Sequence, residues 1–260
     1  KDKKLFGMTL IMMFLWMMTS GGRSIVLWLV LYLFFGIFIV KKRNFQIPKK
    51  VKKIMRYSII PLVFVFVFIT VQRKGESMNL LREAYIYFPV GLKNFDYHIQ
   101  QFENSLQPYL GGASSFYGFI YPIIFILKQI GIMDYPQWIL DSRYYSFTIL
   151  EPNSFIGLDM NAYATIMYQP YLDGGILGVV IILLLFGILC GYYYKKIDTK
   201  YIQARNLAIY LFFLQKILFS QVRFYFTQTQ QSIAFIIIII AFVSQSSFRN
   251  RISFIRERRN

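Results

Sequence analysis

Apolar residues in this chain gather in six long blocks, at about Leu5–Ser20, Ser24–Val40, Tyr57–Val71, Ile176–Tyr194, Leu207–Val222 and Ser232–Phe248. Each block holds few charges, and polar, mostly basic, segments separate them. Runs of this kind predict membrane-spanning helices, with soft boundaries because most fall short of the ~20 residues that a straight crossing needs. A seventh run, "FYGFIYPIIFILKQIGIM", stays apolar for only about 12 residues before Lys128, which suits an interfacial or re-entrant helix better than a crossing. The pattern predicts an all-α polytopic membrane protein of about six spans. Residues 1–71 form three spans around a basic loop at 41–56. Residues 72–175 form a large loop with interfacial helices, 176–248 three further spans, and 249–260 a basic tail.

Charge orients this arrangement. Of 29 Lys and Arg, three lie in residues 1–4, eight in "KKRNFQIPKKVKKIMR", four in "KKIDTKYIQAR" and five in "FRNRISFIRERRN". With six spans these four segments all fall on one side, and the positive-inside rule makes that side cytoplasmic. The 72–175 loop then lies outside, with six basic residues against nine acidic ones. If the seventh run crossed, the last two basic segments would change sides and the rule would fail twice. The net charge of +17 does not indicate a nucleic-acid patch, because the basic runs all flank spans. The composition, 56% hydrophobic with 27 Phe, 20 Tyr and 3 Trp, agrees with a membrane protein. The sequence opens on Lys1 with neither a signal peptide nor a natural start, so it is expected to be a fragment lacking earlier spans. Cys190 is the single cysteine, which excludes a disulfide framework and a cysteine-based metal site.

Three features converge on the outer side. "TSGGRSIVLW" places Arg23 at a turn between the first two spans, where the positive-inside rule does not favour it. The second, fourth and sixth spans run outside to inside, behind the lead-ins "TSGGRS", "YLDGGILG" and "FTQTQQS". Their N-termini offer free N–H groups and the positive end of the helix dipole, which suits anions. The fifth span carries Lys216 and ends at Arg223, seven residues on, so a continuous helix would put both on one face with Ser220 between them. Arg23, Arg223 and Lys216 are therefore candidates for holding a doubly charged group such as pyrophosphate, to which a guanidinium binds bidentately. Snorkelling to headgroups, or pairing of Lys216 with a carboxylate, is the plainer role for these cations.

The loop supplies aromatic segments, "YPQW", "RYYSF" and "NAYATIMYQPY", able to stack on sugar rings or to serve as interfacial belt residues. Its arginines Arg82 and Arg143 are further substrate-binding candidates. There is no DxD pattern, Walker loop, HExxH or Gly-x-Ser-x-Gly elbow, and the only histidine, His98, reads as solvated or interfacial rather than as a base. No metal site and no cofactor are expected. For a general base, Asp173 comes first because it stands at the mouth of the fourth span, with Asp159, Glu151, Glu83 and His98 open. An Asp before Gly-Gly equally suits a turn or a cap. Gly174, Gly175 and Gly178 are expected to allow close helix packing and backbone approach to a ligand.

These residues resemble a known family. "TSGGRSIVL", with Arg23 followed four residues later by Leu27, resembles the external Ser-Arg turn of the membrane O-antigen ligases and of the related oligosaccharide repeat-unit polymerases. "YIYFPVGLKNFDYHI" is similar to the Tyr87, Gly91, Phe95 stretch of the polymerases' external loop. "NAYATIMYQPYLDGGILGVV" is similar to their lead into the next span, with Asn161, Thr165, Tyr171, Gly175 and Gly178 on the pattern. Ligases commonly open that segment with a histidine; Asn161 here favours the polymerase. The resemblance implies an enzyme like the integral-membrane glycosyltransferases, metal-independent and without cofactor, in a bacterial cytoplasmic membrane with its site facing outwards. It would polymerise undecaprenyl-pyrophosphate-linked oligosaccharide units into O-antigen, capsule or exopolysaccharide, beside a flippase and a chain-length regulator as partners in the lipid bilayer. Arg23 and Arg223 would stabilise the pyrophosphate leaving group, with Asp173 as candidate base. Lys216, Asn161, Arg82, Arg143, Tyr171, Gly175 and Gly178 would bind substrate. A lipid-linked oligosaccharide flippase and an O-antigen-type ligase stay open as alternatives, the first disfavoured by the length of the loop.

Overall fold

A computed structural model describes residues 80–148, 153–155, 158–160, 164–197 and 204–240, together with residues 8, 12, 28, 31–36, 38 and 39; for 80–88, 153–155, 158–160 and 204 it describes the backbone alone. All but residues 8 and 12 of the expected first span, the whole of the third, the 41–56 loop and the 249–260 tail lie outside the described residues, as do Arg23, Asn161 and Glu151 and the side chains of Arg82, Glu83 and Asp159. The chain divides into two compact units, Lys1–Leu80 and Leu81–Asn260. In the first, the described residues between 28 and 39 are helical, and Phe34 stacks on Phe38 one turn along, their centroids 6.5 Å apart.

The second unit is built from α1 (Leu80–Asn104), α2 (Tyr117–Gln129), α3 (Gln137–Arg143), α4 (Tyr168–Ile197), α5 (Ala204–Leu218) and α6 (Thr229–Ile240). The only strands among the described residues are β1 (Asn153–Phe155) and β2 (Leu158–Met160), an antiparallel hairpin pairing Asn153 with Met160. The all-α class therefore holds for the described residues, with that hairpin as its one exception. One helix among them, α4, is long and apolar enough to cross a membrane. Its most apolar stretch is only 17% buried, with Ile176 74% and Leu184 60% exposed, unlike the mostly buried core helix of a water-soluble domain.

α4 and α5 pack antiparallel. Tyr194 meets Tyr210 and Phe186 meets Phe213, at centroid distances of 5.6 and 5.7 Å, so position rises on one helix as it falls on the other. Phe186, Cys190, Ile209, Phe212, Phe213, Phe224 and Phe226 form the core of this pair. The start of α4 and the end of α5 consequently lie at one end of the pair.

Two expected boundaries change. α4 is broken near its start, where Gly174 and Gly175 leave helical geometry. Gly175 has φ +61°, a left-handed conformation that disfavours any side chain, and a Cβ there would also lie 2.8 Å from the Tyr109 hydroxyl. α5 ends at Leu218 instead of continuing to residue 222. The carbonyls of Ser220 and Val222 accept from the backbone N–H groups of Ile166 and Ala164, at 2.6 and 2.9 Å. These long-range bonds replace the helical ones, in a stretch where Ser220 and Val222 are weak helix formers.

The loop between α1 and α4 is a folded layer. Phe102, Tyr145, Ala164, Tyr168 and Leu172 form one core, and Tyr117, Ile124 and Ile139 another. The apolar run that the sequence reads as interfacial is α2, 13 residues and thus ~20 Å long, less than a ~30 Å hydrocarbon core. It buries Tyr117, Gly118 and Ile124 and exposes Ile123, Phe125 and Ile126.

Candidate functional site

Residues 164–173 run as a strap along the end of the α4–α5 pair and connect most of the candidate residues that the structure describes. At its start the strap bonds to residues 220 and 222. At its middle, the fully buried Gln169 accepts the Phe224 N–H through Oε1, at 3.2 Å. Its far end carries Tyr171 and Asp173 and passes into the Gly174–Gly175 break.

Asp173 is 5% exposed. Its Oδ1 accepts the Ser114 N–H at 2.8 Å and its Oδ2 the Ser115 N–H at 2.7 Å, while its backbone carbonyl accepts the Gly111 N–H at 3.0 Å. Both carboxylate oxygens are thus committed to the turn that leads into α2. Around them Ser114 Oγ meets Ser146 Oγ at 2.5 Å, and Ser142 Oγ donates to the Ala113 carbonyl at 3.1 Å. Of the two roles that the sequence leaves open, this geometry supports the turn-holding one. To serve as a base, the carboxylate would have to give up the layer it holds.

Tyr171, half-buried, donates its hydroxyl to the Glu103 carboxylate and sets its ring edge-on to Phe95 at 6.1 Å. The backbone at Gly178 lies so close to the Pro170 carbonyl that a Cβ would collide with it, which holds the strap against the first turn of the apolar helix. Arg143 is exposed at the end of α3, with its charge felt at the hydroxyls of Tyr117 and Tyr135.

Lys216 is 2% exposed at the end of α5. Its ammonium donates to Gln215 Oε1 at 2.8 Å and to Gln231 Oε1 of α6, and lies over the rings of Phe212 (4.3 Å) and Tyr225 (4.7 Å). Arg223 is half-buried, in the turn beyond α5. Lys216 and Arg223 do not share a helical face, because the helix has ended between them. The shared location is the junction of α5, the Tyr225–Thr227 turn and α6, into which Gly118 of α2 also fits, within 2.5 Å of the Phe226 carbonyl if given a Cβ.

His98 is not solvated. It is 2% exposed on the inner face of α1, its ring 6.0 Å from that of Tyr168, with Nδ1 3.4 Å from Gln101 Oε1. Burial pushes its imidazole below the ordinary value of 6.5, and the Gln101 contact opposes this only in part. The fold therefore favours neutral His98, while the unfolded chain binds the proton from about pH 6.5 downwards. Stability should be flat above that pH and fall as the pH drops towards the folded-state value. Thermal melting between pH 7.5 and 5 should show this slope, and His98→Gln should reduce it; an unchanged slope in the variant would assign it to another group.

Sequence reasoning missed Asn94, Gln169 and Gln231. Each is a buried amide in an ordinary helical stretch, and nothing local distinguishes it from a solvated one. Among the described residues, no three His, Cys, Asp or Glu side chains gather closely enough to hold a metal ion. No family model, curated protein or solved structure matches the chain.

Proposed function

We propose that this chain is the catalytic part of a membrane polymerase that joins lipid-pyrophosphate-linked oligosaccharide units at the outer face of a bacterial cytoplasmic membrane. The observation that carries the reading is the clustering at one end of the α4–α5 pair. Arg223, Lys216, the strap and the broken helix start lie together there, on the side that the basic loops mark as exterior. A folded, aromatic-rich layer is fastened to that end. Cations beside a discontinuous helix suit a phosphate-bearing lipid whose headgroup emerges from the bilayer. In this reading Arg223 holds the pyrophosphate and stabilises the charge that grows on it as the anomeric carbon is displaced, the role that the family resemblance also implies for Arg23. The six spans, the outward orientation and the multi-pass membrane location belong to the same proposal. Asp173 is assigned to the architecture, not to proton transfer.

Deleting the intact gene in its host and sizing the lipid-linked and surface glycans tests the reading. Single repeat units on the carrier outside the membrane, with long chains gone, support it. Units trapped on the cytoplasmic side would mean a flippase, and full-length polymer stranded on the carrier a ligase. In the complemented strain, Arg23→Lys and Arg223→Lys should each abolish long polymer at normal protein level, because an ammonium cannot supply the bidentate fork. Unchanged polymer length would leave both arginines as snorkelling residues.

A further inference from the structure

The inner face of α1 presents Gly91, Asn94, His98 and Phe102, spaced three to four residues apart, to the strap. Gly91 backs onto the Gln221 carbonyl, 2.6 Å from where its Cβ would be, and His98 sets its ring against Tyr168. Asn94 lies between them, 2% exposed, and its Oδ1 has no hydrogen-bond partner. On the strap, Gln169 is fully buried; its Oε1 is taken by Phe224, and its Nε2 has no partner. Thr165, four residues before Gln169, holds φ +59°, a left-handed conformation that a β-branched residue rarely adopts.

One seam thus combines an orphaned acceptor, an orphaned donor and a strained backbone, each a cost that an apolar or glycine residue would avoid. Such costs gather where a ligand later satisfies them. A hydroxyl donates and accepts at once, so a sugar hydroxyl can answer both orphans. We propose that the α1–strap seam is a subsite for a sugar hydroxyl of the acceptor glycan, read by Asn94 Oδ1 and Gln169 Nε2 next to Arg223. This rests on the polymerase reading and adds to it where the neutral part of the substrate is recognised.

The test uses lipid-linked single units purified from the deletion strain as donor and acceptor, and the intact protein in detergent. Asn94→Leu removes the orphan and keeps the volume. It should raise the melting temperature while increasing the acceptor concentration for half-maximal rate about tenfold, with the maximal rate retained. A partly misfolded variant would instead lower the maximal rate alone. Should Asn94→Leu not accumulate as folded protein, Asn94→Ser, which draws the oxygen back out of reach, is read in the same way. An unchanged half-saturating concentration in the folded variant overturns the subsite and leaves the orphans to buried water. Loss of the gene without loss of long polymer overturns the polymerase reading and the glycan with it, so the two failures are distinct.

Discussion

Asp173→Ala should lower the melting temperature of the detergent-solubilised protein by roughly 5–15 °C, corresponding to about 2–5 kcal/mol. The variant strands the N–H groups of Ser114 and Ser115 in a site where every neighbouring serine is fully buried. A stranded buried donor costs its whole desolvation, about 1–3 kcal/mol, and two are stranded here. Asp173→Asn should fall between, since its amide oxygen still serves one donor while its NH2 opposes the other. The layer between α1 and α4 should loosen first, giving faster amide exchange at 111–116 with α5 still protected. A variant that melts like the wild type but makes no polymer would reverse the assignment and make Asp173 a chemical participant.

The second large effect is expected at Lys216. Lys216→Ala removes the donor shared by Gln215 and Gln231 and leaves a cavity between the rings of Phe212 and Tyr225, at a cost of about 3–5 kcal/mol. Lys216→Met separates packing from hydrogen bonding: it fills the space, keeps contact with the rings and strands only the two carbonyls. As a clamp between α5 and α6, Lys216 predicts that Met melts between Ala and wild type. As a substrate ligand without a structural part, it predicts that Met melts like the wild type and fails only in the polymer assay. The melting curves of the two variants decide between these.

What the sequence makes legible is what depends on neighbouring residues. The apolar length of α4 and the brevity of α2 before Lys128 both follow from composition within a few turns. The contacts that assign roles do not. Asp173 finds its donors 58 and 59 residues away, and Lys216 reaches Gln231 fifteen residues on. The end of α5 is the clearest case. Helical periodicity continues through Arg223 on paper, but the N–H groups of Ala164 and Ile166 take the carbonyls of residues 222 and 220. Periodicity cannot register a competitor on another segment. His98 illustrates the converse: among polar neighbours in sequence it looks solvated, yet its place on the same face as Val90, Asn94 and Phe102 buries it.

The Asp173 anchor also sets an order of events during synthesis. Ser114 and Ser115 leave the ribosome well before their acceptor, and nothing else on α4 offers two carboxylate oxygens to that turn. The nascent loop must therefore wait, unclosed, until the chain has reached residue 173, when the next residues to emerge are the apolar ones of α4. Closure of that turn onto α4 and formation of the first turns of the helix become one step, with a loop of 59 residues drawn shut at its completion. A chain cut before that point keeps the Tyr117, Ile124 and Ile139 core but leaves the N–H groups of Ser114 and Ser115 without the carboxylate that receives them.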